Sequence, residues 1–157
     1  MILDTLTMVS GSINALNVIA GQTVTGAASV LSTNTIDLLQ NRDLGEGESV
    51  CMLFQPSVAF TGLTALECQV ITADDAALTT NVNVLGTTGA IPVALLVAGS
   101  RHTAKLSGRL NSRGQRFLGA RYIPTGTGTA GALITSIVAD LEDASPTKLI
   151  TSGFAVI

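Results

Sequence analysis

At 157 residues the chain is long enough for one domain with a substantial hydrophobic core and short for two. Hydrophobic residues make up 46% of it and charged residues only 12%, about half the roughly 25% of an ordinary globular domain. The longest apolar run, residues 90–99, is about ten residues and carries Pro92, which excludes a spanning helix of ~18 or more, and the net charge of −3 argues against a nucleic-acid partner.

Assembly is one destination for so little charge, because a subunit that buries much of its outside against neighbours can dispense with the charges that keep a monomer soluble. A monomer with a neutral Thr/Ser/Asn surface is the other. At the N-terminus, Met1-Ile2-Leu3-Asp4 places an acid where a signal peptide would have a basic region, and no long apolar stretch follows, so assembly in the cytoplasm is expected. From Met8 to Val30 the text is Ser, Gly, Asn, Thr and Ala with scattered Val, Ile and Leu. That composition suits an arm or long loop that orders across a neighbour, or an edge hairpin pairing residues 17–20 with 23–26 around Gly21-Gln22.

Beyond residue 30, Gly, Thr, Ser, Asn and Val dominate, and these lose to turns and strands in competition for helix. Strands are expected over residues 31–38, 49–55, 64–73, 81–87, 92–97, 103–110, 115–123 and 132–141. Alternation is clearest in two of them. Leu66, Cys68, Val70 and Thr72 share one face against Glu67, Gln69 and Ile71, and Ala104, Leu106, Gly108 and Leu110 oppose Lys105, Ser107 and Arg109. Turn clusters fall at 41–48, 57–62, 74–80, 86–89, 99–101, 111–114 and 124–131, with a single helical turn possible at 73–78. This spacing predicts an all-β protein, a sandwich or barrel of about eight short strands, and the mixed connection lengths fit a jelly roll better than a meander. One domain is expected overall, residues 1–30 forming an arm or edge segment and 31–157 the jelly roll. Cys51 and Cys68 read as buried, reduced core thiols; cross-strand proximity is the alternative.

Charge is segregated. Six of the eight basic residues (Arg101, Lys105, Arg109, Arg113, Arg116, Arg121) lie between 101 and 121, and no acid occurs between Ala76 and Ala139. The two signs either pair within the fold or present opposite patches that orient docking. Chemistry has little to work with. His102 is the one histidine, too few for a cupin-type metal site and without a nucleophile elbow for a triad. Asp74-Asp75 could serve as paired carboxylates or calcium ligands, but no Asp-x-Asp-x-Asp-Gly ladder surrounds them, and a loop cap with a solvated face is the better account; Asp37 likewise reads as a turn residue. Gly126-Thr127-Gly128-Thr129-Ala130-Gly131 runs into a β-like stretch rather than a helix, so it is a flexible connection and no phosphate cradle. Phe117 and Tyr122 have opposite parity and would not stack as a platform for single-stranded nucleic acid. The arginines therefore read as contacts for an acidic protein surface, and neither catalytic residues nor a cofactor or metal are expected.

Met1-Ile2-Leu3-Asp4, the stretch Ser32-Thr33-Asn34-Thr35-Ile36-Asp37 followed by Arg42-Asp43-Leu44-Gly45, then Thr72-Ala73-Asp74-Asp75, Ala90-Ile91-Pro92-Val93 and Arg116-Phe117-Leu118-Gly119 occur in an order that resembles the capsid cement, or decoration, proteins of short-tailed bacteriophages and related prophages. Together these motifs cover most of the chain; Met8 to Val30 matches least. The resemblance implies a jelly-roll subunit on the outer surface of the virion. There it would bind the major capsid protein and copies of itself, as a homodimer or homotrimer, bridge capsomers and resist DNA pressure. It involves no enzyme chemistry, nucleic acid or membrane. Candidate contact residues are Met1, Ile2, Leu3, Asp4, Asp74, Asp75, Arg109, Arg113 and Arg116. A carbohydrate- or receptor-binding β-sandwich is the alternative, disfavoured by the absence of Trp and the single Tyr. A small β-barrel hydrolase or isomerase is opposed by the missing His/Asp/Glu constellation.

Overall fold

The computed structural model describes residues 7–13, 15–16, 18–38, 50–106 and 115–138. The expected turns at 41–48 and 111–114, the end of the strand expected at 103–110, and the contact candidates Met1, Ile2, Leu3, Asp4, Arg109 and Arg113 lie outside these residues. Within them the chain is β, with turns and 3-10 turns between strands and no α-helix. In chain order the strands are β1 (Met8–Ser10), β2 (Ser12–Ile13), β3 (Ile19–Ala20), β4 (Gln22–Thr23), β5 (Val30–Leu31), β6 (Ile36–Asp37), β7 (Cys51–Ala73), β8 (Asn83–Pro92), β9 (His102–Lys105) and β10 (Phe117–Val138). Eight of them form one antiparallel sheet, and β2 pairs with β3 apart from it. The all-β sandwich class expected from the sequence is the one that forms, but its strands are not all short.

The described parts of the strands expected at 49–55 and 64–73 fall in one strand, β7, and those of the strands expected at 115–123 and 132–141 in one strand, β10. The turn signals between them lie opposite each other when β7 and β10 pair. Leu63 faces Gly126 and Thr61 faces Ala130, with the register slipping at both places. Gly62, Gly126 and Gly131 all have positive φ there, so the glycines bend two paired strands together instead of ending either. The bend is nearly a reversal. Tyr122 and Thr135 are thirteen positions apart on β10, roughly 43 Å if extended, yet their side-chain oxygens are 2.7 Å apart.

Folding one long ribbon over itself makes the two layers. One layer contains the start of β7 and the end of β10, flanked by β9 on one side and by β1 and β4 on the other. The second contains the end of β7 and the start of β10, flanked by β8 and by β5 and β6. The strand expected at 31–38 is thus two short pieces, β5 and β6, both on β10. Between the layers lies the main core, including Met52, Phe54, Leu66, Cys68, Val70, Leu118, Tyr122 and Leu133. Phe54 meets Tyr122 edge to face, with centroids 6.3 Å apart. Inward-facing Leu66, Cys68, Val70 and Thr72 are fully buried, as their alternation predicts.

Of the first thirty residues, β1, β4 and the start of β5 are laid onto β10 of the main sheet. Val9 and Val24 are core residues, the Val9 carbonyl accepts from the Asn34 amide at 2.9 Å, and the Val24 amide donates to Gly131 at 3.0 Å. The hairpin in this segment pairs Ser12 with Ala20 and Ile13 with Ile19, not residues 17–20 with 23–26, because Gln22 and Thr23 are taken by β10. Cys51 and Cys68 are both buried, on the same strand rather than across from one another; burial pushes the Cys68 thiol far up.

Candidate interaction surface

Asp74 and Asp75 open the loop from β7 to β8. The Asp75 carboxylate accepts the amides of Thr79 at 3.0 Å and Thr80 at 2.7 Å and the Thr79 hydroxyl at 2.8 Å, and these bonds hold its carboxyl below the usual range. Asp74 accepts from the Asn81 side chain at 3.2 Å. Both acids therefore cap their own loop, the turn-forming role that the sequence favours. The amide of Leu78 bonds back to Asp75 at 3.1 Å, closing a turn where a helical one was possible. Leu78 itself, at φ 58, is buried against Ile71 and Ala73, which covers the outward side of β7 that Ile71 would otherwise expose.

Arg116 stands just before β10 and makes a two-pronged ion pair with Asp37 at the end of β6, Nε to Oδ1 at 2.7 Å and Nη2 to Oδ2 at 2.5 Å. Its guanidinium also lies 5.2 Å from the centre of the Phe117 ring. One member of the basic stretch is thus paired with an acid from the N-terminal third of the chain inside the fold. Arg121, a second member, donates to Gln69 Oε1 from Nε at 2.9 Å and from Nη2 at 2.6 Å. Gln69 in turn donates to Glu67 at 2.8 Å, which also accepts from Thr87 at 2.8 Å. Arg121, Gln69 and Thr87 are register neighbours on β10, β7 and β8, so this polar ladder crosses the outer face of the second layer. The bonds from Gln69 and Thr87 lower the Glu67 pKa. Period-two alternation puts these residues outside, but their partnership depends on registers that a sequence does not display.

A further feature is apolar. After β8 the chain does not continue as the strand expected at 92–97; Pro92 precedes a 3-10 turn, Val93–Leu95, and β8 ends at the proline, which cannot extend a ladder. Residues 93–100 are then tied down bond by bond. Leu96 is buried and its carbonyl accepts from Phe60 at 3.1 Å, while the Gly99 amide donates to Pro56 at 2.8 Å. The Val97 carbonyl accepts from the Ser100 amide at 3.0 Å and hydroxyl at 2.8 Å. His102 Nε2 lies 3.2 Å from the Leu95 carbonyl and 3.2 Å from the Ser100 hydroxyl, and partial burial lowers its pKa. The imidazole braces a loop. On either side of buried Leu96, Leu95 is 57% exposed and Val97 53%, and Val58, on β7 between the two residues that bond the loop, is 51% exposed. These three were not among the contact candidates; for Leu95 and Val97 the signal was the run 90–99, which reads equally well as a core strand.

Among the described residues no group of three or more His, Cys, Asp or Glu could hold a metal ion, and no helix is long and apolar enough to cross a membrane. The model of one protein family, Bbp16, matches residues 18–137 of the chain. A search of curated proteins gives no match.

Proposed function

The chain belongs to the Bbp16 family, a phage-related family, and from that premise we propose that it is a structural virion protein that binds the outer surface of a phage capsid and cements neighbouring capsomers. The family match over residues 18–137 carries this reading to phage proteins. The order of motifs along the chain carries it on to cement proteins, with the major capsid protein and further copies of the chain as partners. Low charge and exposed aliphatic side chains on a braced loop suit a protein that works by adhesion.

Its mechanism would be mass action. A protein that binds the assembled shell but not its separated pieces raises the free energy needed to open the shell, and modest contacts suffice when repeated over many sites. The test compares expanded shells with and without the protein. Co-sedimentation with the shells and disassembly at a lower temperature when the protein is absent are expected. Shell stability unchanged by its removal would overturn the reinforcing role.

A further inference from the structure

We infer that the braced loop at residues 93–99, with Val58 beside it, is a preformed apolar knob that seats in an apolar, acid-rimmed depression on the capsid shell, an inference that rests on the cement reading. Leu95, Val97 and Val58 are each about half exposed, yet the backbone that carries them is held by Phe60, Pro56, Ser100 and His102 and anchored by buried Leu96. A flexible loop could fold such side chains away. This one holds them out in advance, so little ordering remains to oppose docking.

Charge chooses the occupant. No charged residue occurs from Ala76 to Ser100, and the next in the chain is Arg101, with Lys105 four positions on and no acid before Asp140. Pairing this face with its own copy would bring Arg101, which directly follows the loop, of one molecule towards that of the other, whereas an apolar depression with an acidic rim on a different protein complements both the knob and Arg101. Size agrees. Three half-exposed aliphatic side chains offer roughly 200 Å² of apolar surface, against the ~800 Å² per partner of a stable dimer. Such a patch contributes where other contacts already hold the molecule in place, as on a shell.

The test uses the full chain and purified expanded shells that lack it. The double substitution Leu95→Ser with Val97→Ser should leave the melting temperature unchanged and weaken co-sedimentation at least tenfold. Arg101→Glu, outside the knob, should weaken binding and reverse its salt dependence. Shell affinity within twofold of the parent for the double variant overturns the inference. So does a dimer of the free protein, seen by sedimentation velocity, that the double variant abolishes, since the occupant would then be a second copy. Failure of the unsubstituted protein to bind shells overturns the cement reading itself, independently of either variant.

Discussion

Tyr122 is where the two layers are tied together. Its hydroxyl lies 2.5 Å from Ser10 Oγ on β1 and 2.7 Å from Thr135 Oγ1 on the far half of β10, and all three residues are fully buried. Burial pushes its pKa well above the ordinary tyrosine value, so it is a neutral hydrogen-bonding group at any working pH. In Tyr122→Phe the ring and its contact with Phe54 remain, but two buried hydroxyls lose a partner. A loss of about 1–3 kcal/mol in unfolding free energy is expected, measured by urea denaturation with an unchanged slope. The alternation of Phe117 and Tyr122 already placed them on opposite faces, and they are so placed, Phe117 outside under Arg116 and Tyr122 in the core. The partners of Tyr122 were not legible. Ser10 is 112 positions away, in a segment whose polarity suggested an arm, and a lone serine among small polar residues carries no mark of burial.

Between residue and fold stand the glycines of the bend. The turn composition at 57–62 and 124–131 was legible; that both turns would fall at the same level of paired strands was not, because pairing is a long-range property. At Gly62, φ is +85 and a Cβ would meet the Thr127 carbonyl oxygen at 2.7 Å and the Thr129 amide nitrogen at 2.8 Å. Both are backbone atoms of β10 on either side of Gly128, which is held to Gly26 by hydrogen bonds in both directions. Gly62→Ala should therefore cost about 2–4 kcal/mol of stability, through backbone strain and overpacking together. Gly89→Ala is the control, since φ there is +68 but no atom lies within 4 Å of the added carbon, leaving only the ~1–2 kcal/mol of the left-handed conformation. The denaturation midpoints of the two variants separate the bend from the ordinary turn. Similar losses at both positions would mean that the close approach of β7 and β10 at Gly62 contributes nothing.

At the scale of the whole molecule, the all-β class was legible because alternation and turn residues are local signals, and so was the paucity of charge. The contact surface was less so. The run 90–99 is apolar for a reason that composition cannot distinguish from core, and only the placement of Leu96 inward and of Leu95 and Val97 outward separates the two. Under the proposed function, low charge and exposed aliphatic residues have a quantitative consequence. A ligand that binds only the assembled shell stabilises it by RT ln(1 + [L]/Kd) per site, about 2.7 kcal/mol at a hundredfold excess over Kd, and each further tenfold adds about 1.4 kcal/mol. The disassembly temperature of shells lacking the protein should therefore climb with the logarithm of the protein added back, and continue to climb after the sites are filled. Trace amounts should do nothing. An enzyme acting on the shell would behave oppositely, changing the outcome at substoichiometric levels given time, so a titration read by light scattering during a thermal ramp distinguishes adhesion from catalysis without knowledge of the binding site.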